Sequence, residues 1–160
     1  KILLCIFAIY FIFLVGFQLN QQITAIKAKQ VSMKLFDLTI EGNYDKAFKH
    51  IYYYDGPYDY SPTIQFEDAK DIWTERNRTM QGKGIYLSSY SNLRTKYNDG
   101  SVYGNADLVF NEYGKEAKYH TIFIYHIGKD GIKISTLQSF DADGSNEVEW
   151  EKNLSGYISK

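Results

Sequence analysis

The chain has 160 residues and a formal charge of −1, with 18 Lys and Arg against 19 Asp and Glu. That length suits one domain, and lysines scattered without a basic stripe exclude the usual footprint of a nucleic-acid binder. A lone cysteine, Cys5, rules out an internal disulfide, and scarce proline with no Ser/Gly/Pro tract rules out a long linker.

The opening run, KILLCIFAIYFIFLVGF, has no charged side chain from Ile2 to Phe17. As a helix, about 16 residues rising about 1.5 Å each span about 24 Å, short of the roughly 30 Å hydrocarbon core. Leu19, Ile23 and a snorkelling Lys1 extend its reach. A soluble core helix shows a polar face, and this run is apolar all round. A cleaved secretory signal needs a small-residue box, which GFQLNQQITAIKA lacks. A lipoprotein signal puts small residues before its cysteine, where Leu3 and Leu4 stand. The expectation is therefore a transmembrane anchor over 1–20 and one domain over 21–160. A cleaved signal peptide and a secreted protein form the alternative. Lys27, Lys29 and Lys34 outnumber Lys1 across the run, which by itself favours a domain inside the cell. The short N-terminal flank and its α-amino charge weigh the other way, and the domain is expected outside a single-pass cell-membrane anchor.

Ala28, Val31, Leu35 and Leu38 continue at helical spacing toward a stop at Glu41-Gly42. Asn43 suits the N-cap of a short helix carrying Tyr44, Ala47, Phe48 and Ile51. The tyrosine-rich YYYDGPYDYSP, Tyr52 to Pro62, reads as a connector by its Asp-Gly-Pro and Ser-Pro turns. A third helix follows, burying Phe66, Ala69, Ile72, Trp73 and Met80 and stopping at the glycines Gly82 and Gly84. From Ile85 the period changes to two. Strands are expected over Ile85–Tyr97, Ser101–Glu112, Ala117–Ile127 and Ile132–Phe140, and their short Gly-bearing turns require mostly antiparallel pairing. Val148 to Ile158 is a short amphipathic tail, an edge strand or a helix turn. The expected fold class is α+β, with three helices packed on a curved four-stranded sheet.

A long helix, the short helix in EGNYDKAFKHI, a third in FEDAKDIWTERNRTM and then a curled meander resemble the nuclear-transport-factor-two-like superfamily, a cone-like, cystatin-like α+β fold. The resemblance covers about Gln21 to Phe140 and is nearest to small membrane-anchored extracytoplasmic domains of Gram-positive bacteria. It rests on element order, and relatives include isomerases, dehydratases, ligand binders and assembly modules, so fold does not choose among functions.

The candidate chemistry is sparse. His120 and His126 share one face of a strand but lie roughly 20 Å apart, too far to share a metal whose ligands sit about 2 Å away. In DADGSNEVEWEK, Asp141, Asp143, Ser145 and Val148 fit a calcium-loop frame. Asn146 replaces its turn glycine, however, and Lys152 its bidentate glutamate, so the stretch reads as a solvated acidic turn. Isomerase chemistry needs a buried acid beside a tyrosine. Asp71 and Asp107 are available, but Asp107 alternates opposite the apolar set of its strand and is expected to face water. No family catalytic residue carries over, no metal or cofactor is expected, and whether the chain is an enzyme stays open, with a non-enzyme preferred.

Tyr52, Tyr53, Tyr54, Tyr58 and Tyr60 offer either an adhesive patch or rings that close one end of the cone. The third strand is apolar on both faces, Phe123 and Ile127 on one and Ile122 and Ile124 on the other, more than a sheet covered on one side needs. The leading expectation is a membrane-tethered domain whose free face, with Ile122 and Ile124, binds a protein partner or a second copy. A small-molecule binder with Trp73, Tyr119, Phe123 and Tyr125 lining the cone interior is the alternative, and a component of a secretion or conjugation machine is the third.

Overall fold

One antiparallel sheet of four strands, in the order β1-β2-β3-β4, is backed by four helices in an α+β arrangement. The structure, a computed structural model, describes residues 2–57, 62–139 and 148–158, with side chains from Tyr10 onward. Helix α1 runs unbroken from Ile2 to Ile40 over 39 residues. Its second half presents one stripe to the core, with Ala28, Ser32, Leu35, Phe36 and Thr39 buried, the i, i+4, i+7 spacing of a packed helix face. Its first half behaves differently. From Tyr10 to Asn20 every side chain is exposed, Phe13 to 70%, and cover begins at Gln21.

Among the described residues no helix is long and apolar enough to cross a membrane. The anchor expected over 1–20 is thus not shown in the fold, for a simple reason. The side chains of Ile2 to Ile9 lie outside the described set, and beyond Phe17 the helix turns polar with Gln18, Asn20, Gln21 and Gln22.

Gly42, at φ +70°, closes α1. The Gly42 N–H meets the Thr39 carbonyl at 3.0 Å and the Asn43 N–H meets that of Leu38 at 2.8 Å, the pairing of a Schellman stop. Asn43 stands at the N-cap of α2, Tyr44–Ala47, as expected, but its side chain makes no capping bond. Its backbone is already committed to ending α1, and only its carbonyl serves the next turn. A 3₁₀ turn, Phe48–His50, completes α2.

Helix α3, Phe66–Gly82, buries Ala69, Trp73, Thr74, Asn77 and Met80, and Gly84 at φ +88° turns the chain into the sheet. The strands are β1 Ile85–Asn98, β2 Ser101–Glu112, β3 Lys115–Gly128 and β4 Gly131–Ser139. Asp99 and Gly100, both at positive φ, make the tight β1–β2 hairpin turn, the backbone that matches strand twist. Helix α1 lies on the inner face, where Phe36 meets Tyr90 at 5.2 Å and Phe123 at 5.6 Å. Below it, the Ser32 and Tyr125 hydroxyls share a buried hydrogen bond of 2.5 Å.

Of the tail's two alternatives the structure takes the helix turn, followed by one isolated bridge. Helix α4, Glu149–Leu154, stacks Trp150 on Phe110 at 4.8 Å, and the chain then bridges in parallel from Tyr157 to Tyr54. Arg76 pins this tail by donating to the carbonyls of Asn153, Tyr157 and Ser155. Burial pushes its guanidinium down to about 10, and the three carbonyls replace the water it gives up. Gly156 is needed there, because a Cβ would lie 1.9 Å from the Tyr52 carbonyl oxygen.

Candidate functional site: the outer face of the sheet

The residues expected to line an interior pocket are mostly committed to core contacts. Trp73 packs against Phe48 at 5.7 Å and Tyr44 at 6.2 Å, and its indole donates to the Ser155 carbonyl at 3.2 Å. Phe123, fully buried, sits between Phe36 and Tyr125. Burial pushes the Tyr125 phenol far above its ordinary range, against the pull of its bond to Ser32. Tyr119 packs with Phe110 and Trp150 and donates to Glu112 at 2.7 Å. The fold thus brings Phe123 and Tyr125 into ring contact, while Trp73 and Tyr119 pack on other rings of the same core. Ile127, expected on the Phe123 face, is not buried with it. It stays on the side facing α1, but at the sheet's end, where it is 47% exposed at the mouth of a cleft.

Among the tyrosines of the connector, Tyr53 packs on Phe48 and Phe66, Tyr54 on Tyr157, and Tyr52 stacks on the His126 ring at 3.7 Å. Asp55 holds the connector's two ends together, accepting from the Thr63 and Ile64 backbone N–H groups at 2.9 and 3.0 Å. Tyr58 and Tyr60 lie outside the described residues, as does most of the acidic turn, Asp141, Asp143, Ser145 and Asn146 among them. Among the described residues no group of three or more His, Cys, Asp or Glu is placed to hold a metal ion.

The outer face is built from the other set of alternate residues. Ile122 and Ile124 stand there 37% and 40% exposed. Across the ladder Ile124 pairs with Tyr103, itself exposed, and with Thr136, while Ile122 pairs with Asn105 and Gln138. The next row along pairs Asp107 with His120. The Asp107 carboxylate takes His120 Nδ1 at 3.0 Å, Lys118 Nζ at 2.8 Å and Asn92 Nδ2 at 2.7 Å. Those three donors, His120 first, hold it well below the usual carboxylate range. They also wrap it, so that its side chain is only 13% exposed. Asp107 does point away from the core as expected, but into this ring of donors rather than into open water. Asp71 sits apart, exposed on α3 in a shallow groove with Glu75 and Arg76.

Asn92 reaches Asp107 because β1 is bulged between Ser91 and Arg94 and Asn92 takes φ +56° there. A bulge re-aims one side chain out of the alternating row, and asparagine tolerates the left-handed backbone better than most residues. Sequence reasoning missed this residue, although the signal is present. In β1 the inward residues Leu87, Tyr90 and Leu93 recur every third position rather than every second, and the register shifts, Leu87 to Ser89 and Ser91 to Arg94, overlap those two intervals.

The face therefore combines a small apolar centre, Tyr103, Ile122 and Ile124, with an adjoining polar cluster of both signs, the usual layout of a contact surface. The Asp107 carboxylate favours the His120 tautomer with its proton on Nδ1, which orients the ring in the cluster. No protein-family model, curated protein or solved structure matches the chain.

Proposed function

We propose that this chain is a membrane-tethered extracytoplasmic domain that works by contact, docking the outer face of its sheet on a second copy of itself. The observation that carries this reading is the exposed patch of Tyr103, Ile122 and Ile124 on the face opposite the one that packs the core. Charge favours a second copy. Asp107 lies beside Lys118 and His120, so the face carries both signs and a two-fold-related copy offset across the cluster can set unlike charges against each other. The tether is the first half of α1, whose exposed Tyr10 to Leu19 continue an uncharged sequence that begins at Ile2. The order of helices and strands supports placing the domain in the nuclear-transport-factor-two-like superfamily. The buried positions of Trp73 and Phe123 favour this contact role over a ligand site in the interior.

The test is made in membranes of cells expressing the full chain. An Ile124→Cys variant in a Cys5→Ser background is expected to form a disulfide-linked dimer on mild oxidation. The protein should resist an alkaline wash, and its domain should be shaved by protease added to intact cells. A monomer under oxidation would end the self-association reading. Release by the alkaline wash would end the tether.

A further inference from the structure

At the end of the sheet nearest the bare half of α1, a cleft of about 400 Å³ opens between that helix, the 3₁₀ turn and the β3–β4 hairpin. Thr24, Lys27, Val31 and Lys34 line it from α1, at the spacing of one helix face. His50 enters from the turn, and Ile127 and Ile132 come from the hairpin. No acidic residue is among its lining residues. The charges acting on His50 are those of Lys34 on α1, Lys133 on β4 and its own neighbour Lys49, all positive. Burial, and then these lysines, push the His50 imidazole below its ordinary range. A chain with net charge −1 has thus gathered several cations around one half-buried imidazole. Cations facing one cleft that no acid lines favour an anion there.

We propose that this cleft binds a phosphate-bearing anion, gripped by Lys27, Lys34 and His50, with its apolar part resting on Val31, Ile127 and Ile132. Lys27 and Lys34 are two helical turns apart, about 10 Å along the axis, enough to flank a phosphoryl group and its substituent. An ammonium on each side supplies charge without demanding one geometry, and the His50 imidazole takes up a proton as the anion enters and donates an N–H to it. The position along α1 narrows the source. Thr24 lies about 10 Å beyond Phe17, the depth of lipid headgroups if the uncharged run is in the membrane. A free phosphate ester would use the same groups. The site stands independently of the contact face, and its free-phosphate form independently of the tether.

The probe is the His50 C2 proton of the full chain, followed by NMR through a pH titration. In uncharged detergent micelles, inorganic phosphate is compared with chloride at equal ionic strength. In nanodiscs, phosphatidylcholine alone is compared with phosphatidylcholine mixed with phosphatidylglycerol. Anion binding is expected to raise the His50 pKa by about one unit. The paired changes Lys27→Ala and Lys34→Ala should remove that rise and weaken binding at least about tenfold. A rise with phosphate in micelles assigns the site to free phosphate esters, and a rise only in phosphatidylglycerol discs assigns it to a lipid headgroup. An unmoved His50 in both arms overturns the proposal. So does a rise of equal size in the double variant, because a general surface potential acts without those lysines.

Discussion

The two faces of the sheet are made by the same strands, one residue out of phase, and they have met different fates. On β3, Thr121, Phe123 and Tyr125 point inward and are buried, the last two against α1, while His120, Ile122 and Ile124 point outward and are exposed. On β2, Gly104 marks how tight the inner face is, since a Cβ there would lie 2.0 Å from the Phe123 ring. The inner face is held by shape. The outer face is held by backbone pairing and by one ring of hydrogen bonds around Asp107. An apolar side chain thus means different things on the two sides: Phe123 stabilises the fold, and Ile124 is available to a partner.

The sharpest way to break that contrast is to truncate both. Phe123→Ala is expected to cost about 3–5 kcal/mol of stability, read by guanidinium unfolding of the full chain in mild detergent. Ile124→Ala should stay within about 0.5 kcal/mol at concentrations where the chain is monomeric. Comparable losses would mean that the outer face is packed and would end the contact reading. Gly104→Ala tests the inner face from the other side, by overpacking, and should cost about 1–3 kcal/mol.

Two arginines of α3 extend the comparison from faces to charges. Arg76 is half-buried and donates to three carbonyls of the tail, whereas Arg78 makes an exposed ion pair with Asp45 at 2.7 Å. Arg76→Ala should cost about 1–3 kcal/mol by removing three charge-assisted hydrogen bonds to the tail. Arg78→Ala should change stability by about 0–1 kcal/mol. Faster hydrogen exchange at Tyr54 and Ile158, whose N–H groups tie the tail to the connector, would accompany only the first.

The smallest effects are those of pH. His50 is lowered in the folded chain, so the unfolded chain takes up the proton first. Its contribution is complete above the ordinary histidine value of about 6.5 and is lost as pH falls through the lowered one. Asp107 is also lowered, so its contribution holds above the ordinary 3.8 and disappears as pH falls through its depressed value. In urea midpoints followed against pH, His50→Gln should flatten the loss below neutrality and Asp107→Asn the loss in acid. Exchanged windows would contradict the assignments.

Much of the architecture was legible in order. The element boundaries follow from glycines and from the change of period at Ile85, because hydrophobic periodicity and turn backbone are local properties of the chain. The outward Ile122 and Ile124 were legible for the same reason, by counting two along a strand. What stayed hidden depended on residues far apart in sequence. Asn92, Lys118 and His120 converge on Asp107 only when three strands are in register, and the β1 bulge decides the first of them. Likewise His50 meets Lys34 and Ile132 only when α1 crosses the end of the β3–β4 hairpin. Arg76 gave no sign in its helix that it would anchor a tail some 80 positions on. The sequence alone determined the α+β class, the strand order along the chain and which residues alternate to which side, since backbone sterics and apolar spacing act over a few residues. Only the tertiary structure decided which face is filled, which charges share a site and how the tail is held, because burial and electrostatics depend on neighbours that the chain brings together by folding.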